Sequence, residues 1–364
     1  NQELKAALLQ ETPWVLEAQS EEKQRQQIAI LFDLDRMANE EVAAIGKLRE
    51  RQLADGAWSW FPGGTGSWYI TQHLASGFGH LAKLGVKPKL ASDEMALKAI
   101  EYCDAQIAEA YENLKKAERE KSLKLSDDNL WDMYIHYLYT RSFYPKATST
   151  KEATEARNYF IQQAKTYWTK KGNYQQGMLA LALQRFEDKT TPAQIVKSLN
   201  ERAIRSEELG MYWKSPAGYY WYEAPIETQS LMIELFAEVG KDDKAVDELK
   251  VWLLRNKQTT HWKTTKATSE AIYALLVTQG KVDMLADAQP VKLEFKQMKN
   301  KGSQAAISKA QNDAEEGTGY FKTSWKGKDI QAGMEQVTVS NPNAGIAWGA
   351  MYWQYFEQLD KIKS

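Results

Sequence analysis

One segment plan occurs three times in this chain, and it constrains the fold more than any other feature. Each copy has aromatic residues and turn formers, then a threonine, an apolar helix and a closing glycine. The copies span Gln52–Gly85, Gly210–Gly240 and Val251–Gly280, and their threonines are Thr71, Thr228 and Thr268. A unit of this size cannot bury an apolar face alone, so the copies are expected to stack against one another.

Helical periodicity dominates the chain up to about residue 285. The chain has 364 residues, which exceeds the usual ceiling for one hydrophobic core unless the fold is a repeat or a barrel. Amphipathic stretches follow one another at Arg25–Arg51, Asp93–Lys121, Asn129–Ser142, Thr150–Lys170 and Gln175–Asp188. They predict helical hairpins packed side by side, either as an open solenoid or as a ring closed on itself.

The period changes after about Ala286, where residues that favour strands become frequent. Gly and Asn cluster between the runs, as expected for connections in an antiparallel sheet. The candidate strands are Val291–Phe295, Tyr320–Trp325, Glu335–Ser340 and Ile346–Phe356. We therefore predict a mainly α fold with two parts: a helical α/α toroid over residues 1–285, and a β-rich segment of an adjoining domain over residues 286–364.

Charge and cysteine content exclude several classes of function. The chain has 47 basic and 48 acidic residues, so its net charge of -1 argues against nucleic acid or anionic lipid as a partner. No apolar run approaches the roughly 20 residues that a membrane span needs. The single cysteine, Cys103, excludes an internal disulfide framework and any CxxC site. The chain begins at Asn1 without an initiator Met or a signal pattern, so we expect it to continue upstream.

Five segments resemble the bacterial alpha-2-macroglobulin family, and together they span nearly the whole chain. They are LLQETPWVLEAQ at Leu8–Gln19, QLADGAWSWFPGG at Gln52–Gly64, ETQSLMIELFAEVG at Glu227–Gly240, VWLLRNKQTTHWKTTKATSEAIYALL at Val251–Leu276 and IAWGAMYWQYFEQLDKI at Ile346–Ile362. The resemblance maps the helical part onto the thioester-domain region of that family, which is an α/α toroid of helical hairpins. It maps the tail onto the β domain that follows.

In that family, covalent capture of a protease requires a Cys acylated by a Gln three residues later, in a Cys-x-Glu-Gln pattern at the start of a helix. Cys103 and Gln106 have this spacing, but the Glu is absent and the position lies downstream of LLQETPWVLEAQ rather than upstream. The surrounding sequence reads as a continuous amphipathic helix, in which a small thiol is ordinarily core filler. We therefore predict that this chain contains no thioester.

The aromatic turns allow two interpretations. Their side chains could line a platform for a sugar or a peptide, with acidic and imidazole groups nearby. Alternatively, each Trp packs beneath the turn between two helices as a structural wedge, and the recurrence favours this interpretation because a binding site is usually unique. The candidate binding residues are Trp58, Trp60, Trp68, Tyr220, Trp221, Glu223, His261 and Trp262.

No catalytic residue, cofactor or metal is predicted. His73 and His80 are seven residues apart, too far for a metal pair on one helix turn, and His136 belongs to another apolar helix. Asp55 before Gly56 reads as a turn pair.

The resemblance implies a non-catalytic domain of an endopeptidase inhibitor at the bacterial cell envelope, in the periplasm or at the surface. Such a domain would trap proteases or recognise a surface, with proteases and other domains of the same chain as partners. The alternative is a carbohydrate-active α/α toroid enzyme, a lyase or glycosidase, that uses the aromatic cavity.

Overall fold

In the computed structural model, the chain divides into two compact units, Asn1–Gly280 and Lys281–Ser364. The structure describes residues 34–85, 92–214, 224–257, 262, 264–278, 291–295, 307–311, 321–330, 334–342, 349 and 351–352. The predicted domain boundary at residues 285 and 286 lies outside these ranges and stays a prediction. Within them, no helix combines the length and the apolar character that crossing a bilayer requires.

Most of the described residues of the first unit are helical, which confirms the predicted mainly α fold. The helices are α1 (Leu34–Arg51), α2 (Trp68–Lys83), α3 (Ser92–Arg119), α4 (Asp132–Arg141), α5 (Lys151–Tyr167), α6 (Asn173–Arg185), α7 (Thr190–Glu201), α8 (Pro225–Leu235), α9 (Asp243–Arg255) and α10 (Thr265–Val277). A 3-10 turn, Trp168–Lys170, follows α5, and a π-helical turn, Phe236–Gly240, continues α8.

Several helices begin where the sequence places a capping side chain. Thr150 accepts a hydrogen bond from the backbone N–H of Ala153 at the start of α5. Ser67, Asp242 and Thr264 cap α2, α9 and α10 in the same way. Since a cap satisfies one of the N–H groups that a helix start leaves without a partner, these residues fix where each helix begins.

The helices form two layers in which successive helices alternate. The inner helices α2, α4, α6, α8 and α10 pack each against the next. The outer helices α3, α5, α7 and α9 pack behind them, with α3 on α2, α7 on α6 and α9 on α8. Apolar side chains fill the space between the layers, and the largest fully buried ones include Tyr137, Phe160, Phe236, Ile135 and Leu179.

A short hairpin precedes α8, and the sequence analysis did not predict it. Strands β1 (Ile204–Ser206) and β2 (Gly210–Tyr212) pair antiparallel, with Ser206 opposite Gly210. Gly210 has φ +73°, and a Cβ at this position would overlap the carbonyl oxygen of Glu248 on α9. Only glycine combines this backbone conformation with so close an approach of two main chains.

The second unit contains an antiparallel strand pair, β3 (Lys292–Phe295) and β4 (Val337–Ser340), with Phe295 opposite Val337. Two of the predicted strands are therefore present. The predicted strand at residues 320–325 is wrong for residues 321–325, which form no strand. Trp325 instead packs edge-on against Phe295 at 5.5 Å and joins a small apolar cluster with Ile307 and Met334. Most of the predicted strand at residues 346–356 lies outside the described residues.

Candidate functional site

Three buried tryptophans lie in the segments that precede α2, α8 and α10, and each one bonds to the helix before its segment. We call Trp58, Trp213 and Trp262 the wedge tryptophans; their exposed fractions are 3%, 7% and 3%. Each indole N–H donates to a carbonyl in the last turn of the preceding helix, where carbonyls have no partner within the helix. The distances are 2.8 Å from Trp58 to Leu48, 2.9 Å from Trp213 to Leu199 and 3.0 Å from Trp262 to Leu253.

The recurring threonines tie these turns to the inner helices. Thr71, Thr228 and Thr268 each donate from Oγ1 to the carbonyl four residues earlier, at 2.8, 2.8 and 2.9 Å. In the first and third copies, the same oxygen also accepts the backbone N–H of the wedge tryptophan, at 3.0 Å from Trp58 and 3.1 Å from Trp262. The repeat in the sequence is thus a repeat of hydrogen-bonding geometry.

Of the other predicted site residues, the structure describes only Trp60 and Trp68. Trp60 is 62% exposed and stacks on Tyr69, whereas Trp68 is half-buried against Tyr134. Asp55 accepts the backbone N–H of Ala57 at 3.1 Å, as a turn residue does. The remaining predicted residues, Tyr220, Trp221, Glu223 and His261, lie outside the described residues.

A small polar cavity lies between the inner helices, and each of them contributes to its wall. The lining residues are Tyr69, His73, Ser76, His136, Tyr139, Tyr174, Leu231, Lys266 and Glu270. The room left for the centre of a water molecule is about 10 Å³, which is roughly what a single water needs. The described residues contain no cluster of His, Cys, Asp or Glu able to hold a metal ion.

Burial shifts the pKa of the titratable groups around this cavity. Burial, together with the charge of Lys266, lowers the pKa of His73 to about 4. Burial also lowers the pKa of His136 well below its usual value. It raises the pKa of Glu270 to about 7, although Lys266 opposes this shift. Near neutral pH the imidazoles are therefore uncharged, and Glu270 is poised between its two protonation states.

We expect Glu270→Gln to stabilise the protein at pH 8 and to have little effect at pH 5. The raised pKa means that the folded state favours the protonated carboxyl, so Glu270 costs stability as pH rises from about 4.5 to about 7. The expected gain at pH 8 is on the order of 1–3 kcal/mol. Urea denaturation at both pH values measures it, with the exposed Glu101→Gln on α3 as control. Equal effects of Glu270→Gln at the two pH values would contradict the assignment.

Deeper between the inner helices, Glu234 on α8 is the centre of a buried ionic network. Its carboxylate accepts from Lys83 Nζ at 2.9 Å, Arg185 at 2.6 Å, Tyr139 at 2.8 Å and Tyr273 at 2.6 Å. Burial alone would raise the pKa of Glu234, but Arg185 and Lys83 outweigh it and hold that pKa well below its usual range. Both carboxylate oxygens of Glu234 therefore accept hydrogen bonds, and two cations balance the negative charge.

The same network joins α2 to helices that come much later in the chain. Lys83 is at the end of α2, and it contacts both Glu234 on α8 and Glu238 in the π-helical turn. His80, also on α2, stacks on Tyr273 of α10 with ring centroids 3.8 Å apart. The first and last inner helices are therefore in side-chain contact.

Cys103 lies near the middle of α3, and its burial confirms the prediction that it is a core residue. Its thiol is buried, and burial and the neighbouring Asp104 raise its pKa well above the usual value. Asp104 forms a buried ion pair with Arg141 at 3.1 Å and accepts from Tyr137 at 2.6 Å. Since a nucleophilic cysteine needs an accessible thiolate, the buried thiol of Cys103 fits a packing role.

The polar interior was not predicted, although the sequence contains a signal for it. Along α2 the residues that line the cavity or contact the ionic network are Tyr69, His73, Ser76, His80 and Lys83, at spacings of four, three, four and three. This spacing is that of one helix face. On α8 and its π-helical continuation, the same kind of spacing relates Glu227, Leu231, Glu234 and Glu238. A search for polar stripes at helical spacing would have found the network, whereas a search for metal-ligand or nucleophile motifs could not.

The described residues define a mainly α-helical protein, and in its first unit polar side chains meet between the inner helices. No protein-family model matches the chain, and no curated protein matches it. The resemblance to the bacterial alpha-2-macroglobulin family therefore stays a prediction based on the segments quoted above.

Proposed function

We propose that the helical unit is an α/α toroid that serves as a non-catalytic domain of an alpha-2-macroglobulin-like protein at the bacterial cell envelope. Its role there would be to take part in trapping proteases or in recognising a surface. The contact between Lys83 and Glu234 supports the ring. In an open spiral, α2 and α8 would lie three helix spacings apart, roughly 25–30 Å.

The observation that favours a structural role is the burial of Trp58 and Trp262 beneath their turns. In these two copies of the repeat, one tryptophan of the aromatic turn packs between helices and is not open to a ligand. The cavity between the inner helices has room for about one water molecule. It does not admit a sugar ring, which counts against the alternative of a carbohydrate-active enzyme.

A protease-trapping assay on the full-length protein tests this proposal. Physical enclosure leaves the active site of a trapped protease intact but excludes large substrates. We expect a stoichiometric excess of the protein to slow trypsin digestion of casein while cleavage of a small chromogenic peptide continues. Heat-denatured protein is the control. Unchanged digestion of both substrates, or equal inhibition of both, would contradict the proposal.

A further inference from the structure

An exposed aromatic surface lies in the turn before α2. Trp60 and Phe61 are adjacent in sequence, with exposed fractions of 62% and 76%. The Trp60 ring is held in one orientation, because it stacks on Tyr69 with ring centroids 5.8 Å apart and an angle of 15° between the planes. An exposed aromatic ring held in one orientation loses little conformational freedom when a ligand covers it.

This surface and the polar cavity share one side chain. Tyr69, which supports Trp60, is itself part of the cavity wall. It stacks on His73 at 6.3 Å and contacts the ring of His136 at 5.8 Å. An apolar platform and a set of buried polar groups are therefore joined through one side chain.

The polar groups of the cavity match a hydroxyl better than an ion. An uncharged imidazole, as in His73 and His136, offers one donor and one acceptor, and a tyrosine hydroxyl does the same. Lys266 is the cation of the cavity wall, and the carboxyl groups of Glu227 and Glu270 act on it electrostatically. An anion would need donors alone, and a cation would need acceptors alone. A hydroxyl group uses both.

The size of the cavity sets how much of a ligand can enter. Room for one water molecule is also room for one hydroxyl. The body of the ligand must then remain outside, where Trp60 and Phe61 present their aromatic faces. A ligand with an apolar ring face and several hydroxyl groups meets both conditions.

We propose that Trp60, Phe61 and the cavity wall form a binding site for a neutral oligosaccharide. One sugar ring stacks on Trp60, and a hydroxyl of the chain enters the cavity and bonds to His73, His136 or Glu270. No bond is made or broken in the ligand. This site is independent of the proposed protease trapping, so either can fail alone.

Isothermal titration calorimetry with the full-length protein tests the site, using chitotriose, maltotriose, cellotriose and trigalacturonate as probes. We expect at least one of the three neutral trisaccharides to bind more tightly than trigalacturonate. Trp60→Ala should weaken that binding at least tenfold. The matched control is Trp131→Ala, because Trp131 is 69% exposed and lies at the start of α4 rather than in the turn before α2. It should leave binding within twofold of the unchanged protein.

Several outcomes would overturn the assignment. They are no binding of any neutral trisaccharide at 10 mM, tighter binding of trigalacturonate, and equal losses from Trp60→Ala and Trp131→Ala. A further outcome concerns whether a ligand can reach the Trp60 surface in the full-length protein. If hydroxyl-radical footprinting oxidises Trp131 but leaves Trp60 protected without sugar, another part of the protein covers this surface and the site is not open to a ligand.

Discussion

Glu234→Ala is expected to destabilise the helical unit by about 3–5 kcal/mol, because it leaves buried cations without their counter-charge. Arg185 and Lys83 both bind the Glu234 carboxylate, and the tyrosine hydroxyls of Tyr139 and Tyr273 lose their acceptor as well. Truncation of one partner in a buried network costs more than the network contributes when intact. Urea denaturation followed by circular dichroism at pH 7 measures the loss.

Glu238→Ala is the matched control, because Glu238 pairs with the same two cations at a more exposed position. Its side chain is 23% exposed, against 2% for Glu234, so water can replace part of the lost interaction. We expect this loss to be on the order of 1 kcal/mol. The double variant Arg185→Met with Glu234→Gln should lose less than the sum of the two single variants. Equal losses at the two glutamates would show that Glu234 is not the centre of the network.

Replacing a wedge tryptophan by alanine is expected to cost about 3–5 kcal/mol in each copy of the repeat. Trp58, Trp213 and Trp262 fill buried space and also satisfy a carbonyl at the end of the preceding helix. Replacement by phenylalanine retains most of the volume but removes the indole N–H. We expect roughly 1–2 kcal/mol from that change, since it leaves a buried carbonyl without its donor.

Trp60→Ala and Trp131→Ala serve as controls for the same measurement, because both side chains are more than half exposed. Surface substitutions of this kind usually change the free energy of unfolding by less than about 0.5 kcal/mol. We expect a clear separation between the buried and the exposed tryptophans. Equal costs for Trp60→Ala and Trp58→Ala would contradict the role of Trp58 as a wedge.

Local patterns in the sequence were sufficient to predict the helices and their repetition. The stretch Thr150–Lys170 became α5 with Thr150 as its cap, because helical periodicity and capping act over only a few residues. The recurrence of the three segments likewise predicted that a tryptophan packs beneath each turn, and Trp58 and Trp262 do so.

The site was harder to predict because its contacts join distant parts of the chain. Lys83 and Glu234 are 151 positions apart, so neither residue indicates the other in the sequence. The polar stripe on α2 reads as a solvent-facing side until a second layer of helices shows that it faces inward. The segment around Trp325 was predicted wrongly for another reason. Residues 321–325 favour strands, but they form no strand, and Trp325 packs in an apolar cluster instead.

Closure of the inner helices into a ring is the claim on which the proposed fold depends, and a cross-link between α2 and the π-helical turn after α8 tests it directly. Lys83 and Glu238 are 28% and 23% exposed and in contact, and Cys103 is buried. The double variant Lys83→Cys with Glu238→Cys should therefore react intramolecularly with a bis-maleimide of about 8 Å span under native conditions, but not in urea. Lys83→Cys with Lys197→Cys, at an exposed position on α7, is the control and should not react in this way. An open spiral would separate α2 from α8 by roughly 25–30 Å, and failure of the first pair to cross-link would contradict the ring.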